Sequence, residues 1–151
     1  MQEQRFVAVD PGVRACGVAA FENGELHRAW WSRGELTDIV DEMTLGADLD
    51  LVIIETPITV RGRAFRGSTA SLLKLSIAIG ELSAFCKARG VKVALTPVSA
   101  WKRSVPTEAL AARLPKQLTD VESSRIEWPA QSYRHNVVDA IALGRWALKN
   151  L

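Results

Sequence analysis

Three acids in this chain stand where chemistry could use them. Asp10 closes the apolar run Phe6-Val7-Ala8-Val9 just before Pro11-Gly12, and Glu55 closes Leu51-Val52-Ile53-Ile54 before Pro57. Asp139 interrupts the run from Val137 to Leu143. A carboxylate placed where a buried strand ends is held rigidly yet can still face a ligand. An isolated ionised carboxylate in apolar surroundings is very costly, so each of these acids needs a partner or a metal. Three of them point to one shared cation site. His135 and Asn136 precede Asp139 by four and three positions, which puts all three on one helical face.

The elements that would carry these acids follow from the apolar pattern. Residues 5 to 9 read as a buried strand bounded by a turn, and residues 14 to 21 as a second strand. Asn23-Gly24 is a type I′ hairpin signal, and residues 25 to 31 form the returning strand. Gly12 and Gly17 fit a close approach to a ligand or another strand, and a turn plus a bulge explains them equally. Leu36, Ile39, Val40 and Met43 recur at helical spacing, with residues 32 to 34 leading in. Residues 51 to 55 make a fourth strand, apolar on both faces; a crossover helix would set it beside the first, bringing Asp10 and Glu55 to adjacent strand ends.

A long helix is expected from about 70 to 88, capped by Ser68 or Thr69 and ended by Lys87, Arg89 and Gly90. Its stripe Leu72, Leu75, Ile79, Leu82 and Phe85 or Cys86 can cover a sheet. Leu73, Ile77 and Ala84 add a second apolar face, for a partner subunit with Gly80 allowing close approach, or for burial in the same domain. Residues 91 to 95 read as a fifth strand. The stretch 99 to 131 reads as irregular, with short helical pieces at 107 to 114 and 116 to 125. A final helix runs from Ser132 or Tyr133 to Lys149.

A chain of 151 residues suits one domain, with no linker or repeat dividing it. No apolar run approaches the roughly 20 residues that span a bilayer, and the N-terminus lacks a secretory layout, so no membrane is expected and a cytosolic setting follows by default. Organellar or viral origin stays open. Cys16 and Cys86 suit two reduced, buried thiols. Net charge is only +2, but from Glu35 to Glu55 there are seven acids and no Lys or Arg, whereas from Arg61 to Arg103 nine cations stand with one acid, Glu81. That asymmetry suits a polyanionic partner; a solvated charged surface is the plain alternative.

Two basic segments sharpen the first choice. In the loop 61 to 67, Arg61, Arg63 and Arg66 suit phosphates and Phe65 could stack on or wedge between bases, unless it tucks back onto the core. Trp101 is followed directly by Lys102 and Arg103. Phosphate contact is one reading, and a core Trp with solvated cations is the other.

The acid positions and element order together form the layout of a ribonuclease H-like α/β fold. Val9-Asp10-Pro11-Gly12 with Gly17-Val18-Ala19, then Ile53-Ile54-Glu55-Thr56-Pro57, then Val138-Asp139-Ala140-Ile141-Ala142 resembles the RuvC-type Holliday-junction resolvases over nearly the whole chain. The resemblance implies a five-stranded mixed sheet of order 3-2-1-4-5 flanked by helices. It also implies a homodimeric endonuclease that resolves four-way DNA junctions by paired symmetric nicks. Asp10, Glu55 and Asp139 would be catalytic and would bind two Mg²⁺ ions per site, with Mn²⁺ as a substitute. The family's fourth ligand falls on Asn136, which offers a neutral carbonyl oxygen. His135 is a candidate to compensate as ligand or general base, the role imidazole side chains commonly take; a locally bonded helix-start residue is the other reading. Phe65 falls roughly where the family places a junction-probing aromatic, Lys102 falls near a phosphate-contacting segment, and the helix around 70 to 88 would be the dimer interface. The compact chain fits a free-standing resolvase.

Three alternatives stand beside this. A YqgF-like nuclease shares the opening motif, but Glu55-Thr56-Pro57 and the Val137 to Leu143 ending fit it less well. The sugar-kinase and actin superfamily needs two such domains to enclose ATP. A junction-binding module with weak or no cleavage is kept open by Asn136, against which stands the liability of buried acids without a function.

Overall fold

The computed structural model describes residues 4–13, 15–33, 38, 48–57 and 67–151. The helix expected around Leu36 to Met43, the start of the second strand at Arg14, and the loop residues Arg61, Arg63, Phe65 and Arg66 lie outside the described residues. Five strands form one mixed sheet: β1 (Arg5–Asp10), β2 (Cys16–Glu22), β3 (Glu25–Ser32), β4 (Leu51–Thr56) and β5 (Lys92–Pro97). Their order is β3-β2-β1-β4-β5, as expected. The β2–β3 turn is made by Asn23 and Gly24, both at positive φ (52° and 84°), which is what the type I′ turn demands.

The sheet is buried on both sides. Along β1, Phe6 and Ala8 face one cluster and Val7 and Val9 the other, the alternation of a strand sandwiched between layers. One layer is α1 (Thr69–Ala88), whose Leu75, Ile79, Leu82 and Cys86 pack on Val7, Val9, Val18, Val52 and Ile54. Ser68 caps it, its Oγ accepting from the Ser71 amide at 3.1 Å. By length and composition alone α1 is long and apolar enough to cross a membrane, as the core helix of a soluble protein also can be, a correction to the expectation that no apolar run comes close. The correction extends to its outer face: Leu73 is 59% and Ile77 61% exposed, so burial in the same domain does not account for them, and among the described residues no other part of the fold lies within 4 Å of where a Gly80 side chain would be.

The other layer is the last helix, α5 (Arg134–Asn150), entered through a 3₁₀ turn at Gln131–Tyr133. Val137, Val138, Ile141 and Leu143 are buried with Phe6, Phe21 and Ile53. Two glycines let α5 approach the sheet closely. A methyl at Gly17 would overlap the Asn136 carbonyl, and one at Gly144 would overlap the Phe21 ring. The close approach foreseen at Gly17 is thus to a helix backbone, where the sequence suggested a ligand or a strand.

The stretch from 98 to 131 is more ordered than expected. It forms α2 (Val98–Trp101), α3 (Thr107–Gln117) and α4 (Asp120–Ser124). Helix α3 runs through Pro115 in its last turn, where the missing N–H leaves the carbonyl of exposed Ala111 to water, and the Leu118 amide closes the end on Leu114 O at 3.0 Å. Thr119 then opens α4 with a reciprocal cap to Glu122, so the second piece begins at Asp120 and not at 116.

This stretch also closes the outer edge of β3. The Leu26 amide donates to Glu122 Oε1 at 2.9 Å and Arg125 Nη1 donates to the Leu26 carbonyl at 2.9 Å. The Ala29 amide donates to Arg125 O at 3.2 Å and its carbonyl accepts from Glu127 N at 2.8 Å. An edge that would otherwise template further strands is paired by residues about a hundred positions downstream.

Candidate active site

The register of the sheet brings two of the acids together. Val9 of β1 pairs with Ile54 of parallel β4, so the next residues, Asp10 and Glu55, lie side by side at adjacent strand ends. Asp10 shares the face of Phe6 and Ala8, and Glu55 that of Ile53, which is the α5 face. From above that face, α5 lowers Asp139 toward them, 7% exposed.

The electrostatics follow from this crowding. Burial, and then the charges of Glu55 and Asp139, hold the Asp10 carboxyl well above the usual carboxylate range, partly offset by Lys102. Burial and the Asp139 charge push Glu55 up to about 7, against the opposing pull of Lys102 and of hydrogen bonds from Trp101 and Asp10. The two carboxyls share a hydrogen bond, so one proton is held between them. Like charges forced together without enough positive charge behave in this way.

Three side chains outside the acids complete the site. Trp101 Nε1 donates to Glu55 Oε2 at 2.9 Å. Lys102 Nζ donates to Asp139 Oδ2 at 2.7 Å and to Thr107 Oγ1 at 2.7 Å, and Thr107 in turn lies 3.1 Å from Asp139 Oδ1. The pair Trp101-Lys102 is therefore built inward, with the Trp as a buried donor and the Lys only 17% exposed against a carboxylate. The core Trp and a solvated Arg103 fit the plainer reading, and Lys102, held against a carboxylate, does not. Thr107 and the donor role of Trp101 were missed. A buried Trp must find an acceptor for its N–H, and an acid in an apolar run is an obvious one.

The other expected residues among those described make no hydrogen bond or ion pair with the acids. Asn136 is half-buried at the start of α5, its backbone lying over Gly17. His135 and Arg103 are exposed; Arg103 takes a positive φ of 53° as the chain leaves α2. Among the described residues, no three His, Cys, Asp or Glu side chains stand ready to share one ion, because Asp139 is turned to Lys102 and Thr107 while Asp10 and Glu55 face each other. The donor chemistry nevertheless suits a hard divalent cation. The three acids supply only carboxylate oxygens, and two of them are short of positive charge in the folded protein.

No protein-family model and no curated protein matches the sequence. Solved structures do match the fold. A Thermus thermophilus RuvC in complex with Holliday junction substrate superposes with a TM-score of 0.63 at 16% identity, covering 97% of each chain. Another T. thermophilus RuvC structure gives 0.54 at 17% identity, over 96% of this chain and 94% of that one. The yeast mitochondrial Holliday junction resolvase gives 0.55 at 10% identity, over 97% and 80%. With the sheet order, the closing helix and the three acids already in place, these matches give the chain the ribonuclease H-like fold of the RuvC-type resolvases.

Proposed function

We propose that this chain is a structure-specific endodeoxyribonuclease that resolves four-way DNA junctions by paired symmetric nicks, acting as a homodimer with two Mg²⁺ ions per site. The observation that carries the reading is the convergence of Asp10, Glu55 and Asp139 at one end of the sheet in a resolvase fold. These three, with the Asn136 side-chain oxygen as a neutral fourth donor, would hold the ions. Bound there, the divalent cations supply the activation of water and the stabilisation of the leaving oxygen that phosphodiester hydrolysis needs.

The rest of the site belongs to the chain itself. Trp101 fixes the Glu55 carboxylate by its N–H, and Thr107 fixes Asp139. Lys102 holds a positive charge at Asp139, where it balances the acids and meets the phosphate when substrate arrives. His135, exposed on the first turn of α5, is a proton acceptor from the solvent side. Arg103 and the arginines 61, 63 and 66 are assigned to backbone phosphates, and Phe65 to the junction centre. The exposed Leu73 and Ile77 of α1 are assigned to the dimer interface.

The test is a labelled synthetic four-way junction beside linear duplex of the same sequence, with Mg²⁺ or EDTA, for wild type and Asp10→Asn. Paired nicks in the junction alone, lost in EDTA and in the variant while binding persists, are expected. A wild type that binds the junction and never nicks it with Mg²⁺ or Mn²⁺ overturns the nuclease. A second reading, junction binding with weak cleavage, is favoured by Asn136 at the fourth position, and Asn136→Asp would then raise the rate.

A further inference from the structure

Asp10 pairs with Gly17, and Gly17 pairs with Trp31. Directly opposed residues share a face of a sheet, so Trp31 stands on the same face and at the same end as the acids, two strands or about 10 Å away. The start of α5 passes between them, over Gly17. On the far side lies an open groove of about 530 Å³ whose lining includes Trp31, Arg33, Glu127 and Trp128. Tyr133 stacks on Trp31 with ring centroids 4.4 Å apart. Trp128 is 43% exposed, although a large aromatic ring would gain by burial.

The polar groups of the groove suit an anion. Arg28 is tied to Glu127 and so is neutralised. Arg33, with its guanidinium 5.9 Å from the Trp31 ring, and Arg134, 5.7 Å from the Trp128 ring, have no carboxylate partner among the described residues. The indole N–H of Trp31 is buried without a hydrogen-bond partner among the described residues. Buried donors left unsatisfied are rare and costly. Flat rings with unpaired guanidinium groups beside them are the means by which proteins hold an unstacked nucleotide: the base on a ring, the phosphate on the cation.

We infer that the groove of Trp31 and Trp128 binds an unstacked base of the DNA strand within a few nucleotides of the phosphodiester at Asp10, with Arg33, and Arg134 beside the groove, on its phosphates. The assignment rests on the proposed junction substrate and names where that substrate is gripped outside the acids. It makes the groove a determinant of which position in the strand is presented.

The test is made in EDTA, where no cleavage can occur. A single abasic site is walked along the strand of a four-way junction, and affinity is read by fluorescence anisotropy for wild type, Trp128→Ala and Arg33→Glu. At one position the missing base should weaken the wild type about 10-fold and leave Trp128→Ala unchanged. Arg33→Glu should weaken the intact junction by a similar factor. Wild type and Trp128→Ala losing equal affinity at every abasic position overturns the groove, as does Arg33→Glu binding like wild type. Tight binding with abasic coupling but no Mg²⁺-dependent nicking overturns the nuclease reading and leaves the groove standing.

Discussion

Glu122 and Glu55 are acids at sheet margins, both withdrawn from solvent, and their environments differ in sign. Glu122, 4% exposed, accepts from the Leu26 and Thr119 amides and lies 3.5 Å from Arg145. Burial raises its pKa, yet those two amides and Arg145 more than offset it and hold the carboxyl below the usual range. Glu55 has only the Trp101 N–H and a hydrogen bond shared with Asp10, and it faces two other acids. Burial therefore does not distinguish a structural acid from a working one. The balance of donors does: a carboxylate whose lone pairs are filled holds the fold, and one left short of positive charge is kept for something that arrives later.

The largest test of that contrast is to neutralise each acid. Asp10→Asn or Glu55→Gln should cut nicking by more than the roughly 100-fold that loss of an outer-sphere ligand partner costs, while thermal melting at pH 8 stays level or rises. A melting temperature that falls as far as it does for Glu122→Ala would sink the contrast. Glu122→Ala itself should destabilise by about 3 kcal/mol, since Arg145 and the Leu26 amide lose their acceptor together. Urea denaturation measures this, and the folded protein should still bind a junction with native affinity.

The pH profiles should then run in opposite directions. Glu122 has a depressed folded pKa, so its stabilisation is full above the ordinary 4.5 and is lost as pH falls through the folded value. Glu55 is raised from 4.5 to about 7, so the folded protein holds a proton that the unfolded chain has released. Stability falls as pH rises across that window. Denaturation midpoints from pH 3 to 8 should flatten below 4.5 in Glu122→Gln and flatten between 4.5 and 7 in Glu55→Gln. Parallel profiles for the two variants would refute the assignment. The smallest effect is expected from Trp101→Phe, which removes one donor at a cost of about 1 kcal/mol in stability and should move the Glu55 titration upward; an unmoved titration would show that the N–H is idle.

Much of this was legible in the sequence, for identifiable reasons. Asp10 and Glu55 end apolar runs, and strand order follows from a hairpin, a crossover and the rule that parallel neighbours need a connecting segment. Asn23-Gly24 specifies its own turn. What stayed hidden depends on distance along the chain. Nothing local to Lys102 says that Asp139, 37 residues later, will hold it. Nothing local to Leu26 says that Glu122 will accept its amide. The capping pattern Thr119-Asp120-Val121-Glu122 was visible and would have placed the start of α4. The pairing of Trp31 with Gly17, and through it with Asp10, needs the register that only the folded sheet supplies.

The clasp on β3 also sets a schedule for synthesis. Residues 4–33 can form their antiparallel array early, but the partners of Leu26 and Ala29 are some 96 to 98 positions further on. At about 5–20 residues per second the ribosome delivers them roughly 5 to 20 seconds later. Throughout that interval the nascent chain carries a strand with an unguarded margin. Chaperone dependence and losses during expression should therefore concentrate in chains truncated before Glu127, whatever the quality of their first three strands.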